Sequence, residues 1–172
     1  MWQPDAKDVF IDCIDDLLED WQVQSMSNIK QHINGVSCFD HSLFVAYISF
    51  RICKTLNLNF RSAARAGLLH DLYLCDWNAA NVGRWERLLI HPQMALENAD
   101  RFDLSVLEKD IIEKHMWPVT LRLLPRHRES FVVNFADKLC ATAEVLHIYH
   151  LFRRKNALQL FAIPKTAAAQ AQ

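Results

Sequence analysis

The sequence predicts an all-α protein. Only three glycines and five prolines interrupt 172 residues. Alternation of Val, Ile and Thr is nowhere sustained, and apolar residues recur at helical spacing between capping side chains. The 51% apolar content is too high for a disordered chain. The length suits a single domain with a real core.

The elements follow in order. Residues 5–21 read as a first helix, with Val9, Phe10, Ile14, Leu17, Leu18 and Trp21 on one side. Residues 26–33 add a short second one. Ser37 is an N-cap for a long helix through about Leu56, with Phe44, Val45, Ile48 and Ile52 at helical spacing. Asn59 caps the next helix, which runs to His70; its alanines and Gly67 point to close helix–helix contact. From Leu72 to Ile90 the signal weakens to a loop with one helical turn at "GRWERLL". Pro92 suits the first turn of a further helix, with His91 at its N-cap. Ser105 and Glu108 form a capping box for a helix that reaches His115 or Met116 and stops before Pro118. The loop "WPVTLRLLPRHRE" leads to a last helix from about Ser130 to Arg153. The tail "KTAAAQAQ" is low in complexity and expected to fray.

Nineteen basic against 20 acidic side chains exclude a general nucleic-acid binder. They leave room for a local basic pocket. No apolar run approaches the roughly 18–20 residues of a membrane span, and the acidic N-terminal stretch is unlike a signal peptide. Five scattered cysteines without a CxxC pair read as reduced, mostly buried thiols of a cytoplasmic protein.

The chemistry-bearing residues are His41, the pair His70-Asp71, His91, His115 and Asp137. Apart from the adjacent pair, each falls on or at the end of a different helix. Asp137 stands on an apolar face between Val133 and Ala141, where a carboxylate needs either a buried cationic partner or a metal. Each histidine alone is more often a capped or hydrogen-bonded core residue than a ligand. Four imidazoles and two carboxylates together suit Zn, Fe, Mn or a mixed pair.

The order H…HD…H…H…D resembles that of the HD-domain metal-dependent phosphohydrolase superfamily. "DHSLFVAYIS" looks like that family's first metal helix, "AARAGLLHDL" like its namesake motif, "HPQMALENA" like the segment of the third histidine, and "ADKL" like the closing aspartate. The resemblance covers about residues 37–145. It implies one HD domain over 1–172: a helical extension to about residue 36, a compact helical-bundle core, and a helix end with tail beyond 146. It implies that His41, His70, Asp71 and Asp137 hold one metal. His91 and His115 then hold a second, with Asp71 bridging the two and serving as the catalytic carboxylate. The pattern is most similar to small bacterial HD hydrolases, including those that cleave diadenosine tetraphosphate.

The resemblance further implies two divalent or mixed-valent transition-metal ions, iron first, then manganese or zinc. A metal-activated hydroxide would cleave a phosphate ester or anhydride in a small phosphorylated substrate such as a nucleotide. No nucleic-acid polymer or membrane partner is expected, and a homodimer is left open. Two rivals share the ligand set: a mixed-valent di-iron oxygenase and a non-catalytic nucleotide-binding module. The chain departs from the HD-x-G-K form, since Leu72-Tyr73-Leu74 follows the pair and the phosphate-contacting lysine is missing. Met116-Trp117-Pro118 follows His115 where the cyclic-dinucleotide HD-GYP type has another His and a GYP loop, so that activity is not expected. Replacement cations for phosphate are Arg84, Arg87, Arg126, Arg128 and Lys138, each more often a plain surface charge. His32 is a further pocket candidate. Tyr73, Trp77, Trp85 and Trp117 could line an apolar wall. Glu144, two turns beyond Asp137, could accept an outer imidazole N–H, although a solvated glutamate is the commoner case.

Overall fold

The computed structural model describes residues 4–29, 36–75 and 82–146. His32, Trp77 and the tail beyond 146, with the expected end of the last helix, lie outside the described residues. The fold is all-α: seven α-helices and two 3-10 turns, with no strand among the described residues.

The first helix, α1, spans Pro4–Leu18, and α2 spans Trp21–Ser25. The expected single helix over 5–21 is therefore two. Asp20 breaks it by accepting from the backbone N–H groups of Gln22 and Val23 at 2.9 and 3.1 Å, starting a new helix instead of continuing the old one. Trp21 consequently leaves the apolar face and stands 68% exposed. A 3-10 turn, Met26–Asn28, stands at the start of the short helix expected over 26–33, whose residues from 30 on lie outside the described residues.

Local capping chemistry sets the next elements as expected. Ser37 caps α3, Cys38–Thr55, in a capping box with Asp40. Asn59 caps α4, Phe60–Leu69, by accepting from the Ser62 N–H at 3.0 Å. Ser105 and Glu108 form the capping box of α6, Val106–Lys114.

The element between them differs from expectation. The helix α5 spans Arg84–Ala99, with Gly83 at its N-cap and Pro92 in its interior. His91 is thus a mid-helix residue, not an N-cap. Proline lacks an N–H wherever it sits, so its presence alone does not separate a first turn from a tolerated interior break. The last described helix, α7, spans Arg128–Val145 and begins two residues earlier than expected, after His127.

Helices α3, α4, α6 and α7 pack on one another; α1 lies against α4, and α5 against α6. Ala63, Ala64, Ala66 and Gly67 are all buried on α4. A Cβ added at Gly67 would stand 2.9 Å from the Ala46 Cα and 3.2 Å from its N. Small side chains therefore let α3 and α4 approach backbone to backbone, which brings the start of α3 and the end of α4 together. All five cysteines are free and four are buried. No helix among the described residues is long and apolar enough to cross a membrane.

Candidate metal centre

The six residues come from five helices. His41 lies in the first turn of α3, while His70 and Asp71 follow the last residue of α4. His91 is mid-way along α5, His115 closes α6, and Asp137 lies mid-way along α7. All six are buried.

They converge. The His41 Nε2 is 3.2 Å from the Asp137 Oδ1, and the His70 Nε2 is 3.7 Å from the same oxygen. Asp71 divides its oxygens between two sets of imidazoles. Its Oδ2 is 3.5 Å from the His70 Nε2, whereas its Oδ1 is 3.4 Å from the His91 Nε2 and 3.7 Å from that of His115. Two groups with geometry that could hold a metal ion result: His41, His70 and Asp71, and Asp71, His91 and His115.

Each imidazole is oriented from behind. The Nδ1 atoms of His70, His91 and His115 lie 2.8 Å from the carbonyls of Gly67, Arg87 and Ile112. A carbonyl only accepts, so each Nδ1 carries a proton, and the neutral form of each ring turns a bare Nε2 inward. Helix ends make this easy for His70 and His115, because the last carbonyls of a helix have no N–H of their own. The His41 Nδ1 instead donates to the Glu144 Oε1 at 2.7 Å. Glu144 is buried, not solvated. Such partners hold a ligand imidazole in one tautomer and raise its basicity.

The donor set fits a divalent cation. The His70 Nε2 is buried without a hydrogen-bond partner. The Nε2 atoms of His91 and His115 face each other at 2.8 Å, an arrangement of two lone pairs that a positive charge relieves. Electrostatics agree. Burial lowers the His41 pKa, but hydrogen bonds to Asp137 and Glu144 outweigh it and push the value up to about 10. Burial would raise Asp71, yet His70, His91, His115 and His41 hold its carboxyl below the usual range. Asp137 is likewise held well down, by His41 and His70 against burial. His115 is pushed down to about 3, by burial first and then by His91 and His70. The cluster keeps its carboxylates ionised and His115 free of its proton, as metal ligation requires, whereas His41 and His70, whose pKa values are raised, give up a proton when a metal binds.

Among the other expected residues, Lys138 reaches the cluster. Its Nζ donates to the His115 carbonyl at 3.0 Å and lies 3.7 Å from the Asp137 Oδ2. Burial lowers its pKa, partly countered by Asp137. Arg126 and Arg128 are exposed and neither hydrogen-bonds nor ion-pairs with the six. The cause is Asp110 on α6. It accepts from the Arg126 N–H at 3.1 Å and the Ser130 hydroxyl at 2.6 Å, and pairs with the Lys114 ammonium. The loop is thereby drawn onto α6, where Arg126 borders a separate surface cavity of about 520 Å³. Arg84 opens α5 two turns before His91, with its side chain outside the described part. The Arg87 Nε donates to the Val82 carbonyl at 2.8 Å. Tyr73 meets the His91 ring edge-on at 6.1 Å, Trp117 packs on Phe131, and Trp85 is 74% exposed.

Asn134 escaped the sequence reading. Buried one turn before Asp137, it donates to the His115 carbonyl at 2.6 Å and to that of Trp117. With Lys138 it pins the end of α6 to α7. Its place three residues ahead of Asp137 on the same helical face was the available signal.

The frame and the cluster define a class: helical domains that gather buried imidazoles and carboxylates from several helices into a metal-binding site. Within that class, the family model described as HD domain matches residues 38–142, and the chain belongs to this family. No curated protein and no solved structure matches it.

One consequence concerns Glu144. Replacing it by Ala removes the acceptor of the His41 N–H and is expected to weaken metal binding by about 10–100-fold. Titration of the metal-free protein with Mn²⁺ measures this directly; an unchanged affinity would mean that His41 needs no such partner.

Proposed function

We propose that this chain is a metal-dependent phosphohydrolase, cleaving a phosphate ester or anhydride bond of a small phosphorylated substrate of nucleotide type at a dinuclear site. The observation that carries this reading is Asp71, whose two oxygens face two different imidazole sets. A carboxylate so divided suits a pair of cations, and paired cations about 3.5–4 Å apart suit phosphoryl chemistry. Bound there, they would supply Lewis acidity toward phosphate oxygens and lower the pKa of a water toward neutrality.

The chain's own residues provide the frame. His41, His70 and Asp137 serve one position, His91 and His115 the other, with Asp71 between them. Asp71 is the catalytic residue in this reading: it sets the spacing and orients the attacking water by accepting its hydrogen bond. The backbone carbonyls behind His70, His91 and His115 keep those rings in one tautomer and aimed, so little reorganisation is needed when charge builds on the phosphate. Iron, manganese and zinc all suit these nitrogen and oxygen donors.

The test is elemental analysis of protein purified without chelator, beside a hydrolysis screen on phosphate monoesters, nucleotides and dinucleoside polyphosphates. Close to two metal ions per chain with phosphate release is the expected result. Two irons without hydrolysis would replace this reading by the di-iron oxygenase. No metal after reconstitution with Fe, Mn or Zn would overturn it.

A further inference from the structure

We infer that Lys138 is the cation that receives a non-bridging oxygen of the substrate's phosphate, in place of the lysine missing after the His70-Asp71 pair. The inference rests on the phosphohydrolase reading and deepens it. It begins with where the cluster meets solvent. The side chains of His41 and His70 are fully buried and that of His115 is 1% exposed. Those of Asp137 and His91 are 13% and 10% exposed. The Asp71 side chain is 7% exposed, so the cluster meets solvent on the side of Asp137, His91 and Asp71.

Lys138 flanks that side. Its side chain is 41% exposed, and its Nζ lies 3.7 Å from the Asp137 Oδ2, the oxygen other than the one beside His41 and His70. The ammonium is held in place as well as nearby. It donates one hydrogen bond to the His115 carbonyl at 3.0 Å. The Asp137 oxygen, at 3.7 Å, is beyond hydrogen-bond range. An ammonium has three N–H donors, so others remain for a ligand. Its close partner is a neutral carbonyl; the Asp137 Oδ2 is a looser ion-pair partner, whose charge a cation held by Asp137 would claim. What remains is a positive charge anchored at the entrance to the site.

Two of the rival cations lack this placement. Arg126 and Arg128 are turned to solvent on the α6 side of the loop. A lysine is a point charge rather than a planar fork, so it suits one phosphate oxygen and not a bidentate clamp. The chemical class it selects is an anionic phosphate group whose free oxygens reach the entrance to the site.

The same contact to His115 gives Lys138 a competing role as a purely structural tie on the end of α6, and the experiment separates the two. Inorganic phosphate is titrated into the Mn²⁺-loaded protein by calorimetry, using wild type, Lys138→Met and Lys138→Arg, with bound manganese measured in each. The expected result is phosphate binding weakened about tenfold or more in Lys138→Met, substantially restored in Lys138→Arg, with manganese content equal to wild type in both. Phosphate affinity within twofold of wild type in Lys138→Met overturns the inference and leaves the phosphohydrolase reading intact. A fall in bound manganese in Lys138→Met also overturns it, in favour of the structural tie. Wild-type protein that takes up manganese but binds no phosphate would overturn both readings.

Discussion

Asp71→Ala is expected to purify as a folded helical protein that hydrolyses nothing and carries little metal at either position. The carboxylate is the one group common to both imidazole sets, so its removal weakens both at once. By contrast, loss of Glu144 reaches the centre through His41. The fall in rate should be at least the roughly 10²–10³-fold that follows removal of one preorganised electrostatic group. The fold should survive because the structural bonds at this position are made by the backbone. The Asp71 carbonyl accepts from the Tyr73 N–H at 2.8 Å and from the Cys38 thiol at 3.4 Å, and alanine keeps both. Far-UV circular dichroism, metal analysis and a phosphate-release assay on one preparation test all three parts. An alanine variant that retains activity would remove Asp71 from the mechanism.

The largest effect on stability is expected at Gly67. Alanine there has the better helix propensity, so in an exposed helix it would stabilise. Here its Cβ would fall 2.9 Å from the Ala46 Cα, which is backbone and cannot swing away. The two helices must part, and overpacking of this kind costs about 1–3 kcal/mol. For a domain of this size that lowers the melting temperature by roughly 2–4 °C per kcal/mol. The damage should also reach the metal centre. Gly67 supplies the carbonyl that orients His70, and the His70-Asp71 pair follows within one turn. Thermal unfolding of Gly67→Ala with and without Mn²⁺ measures both consequences. A melting temperature at or above that of wild type would show that the α3–α4 contact yields without penalty.

Much of this architecture was legible because it depends on local chemistry. Ser37, Asn59 and Ser105 each begin a helix by accepting from the N–H three residues on, a rule that involves no distant partner. Gly67 announced a close helix contact for a similar reason, since little else explains glycine amid alanines in a helix. The misread elements turned on single residues with two local solutions. Asp20 can sit inside a helix or open one, and Pro92 can begin a helix or interrupt it. Which solution holds depends on packing partners far along the chain.

The centre divides in the same way. The six side chains were legible as residue types in order. What orients them was mostly not, because the acceptors behind His70, His91 and His115 are backbone carbonyls, which every residue possesses. Glu144 was visible as a candidate, but its burial against α3 is a tertiary fact. The position of Arg126 and Arg128 away from the six was not legible, since nothing in the loop's own sequence reveals that Asp110 draws it onto α6.

The spread of the centre along the chain has a further meaning. Its donors run from His41 to Asp137, and no short segment holds more than the adjacent His70-Asp71 pair. An unfolded chain therefore offers no comparable site, and ions bound as proposed would favour the native state alone. At free metal a hundredfold above the dissociation constant, each independent site adds about 2.7 kcal/mol to the unfolding free energy. That is a large share of the roughly 5–15 kcal/mol on which a typical domain persists. Degradation of a transiently opened chain follows the population of the open form. The lifetime of this protein among proteases should then rise and fall with the supply of its metal, so that chelation shortens the protein's survival as well as stopping its chemistry.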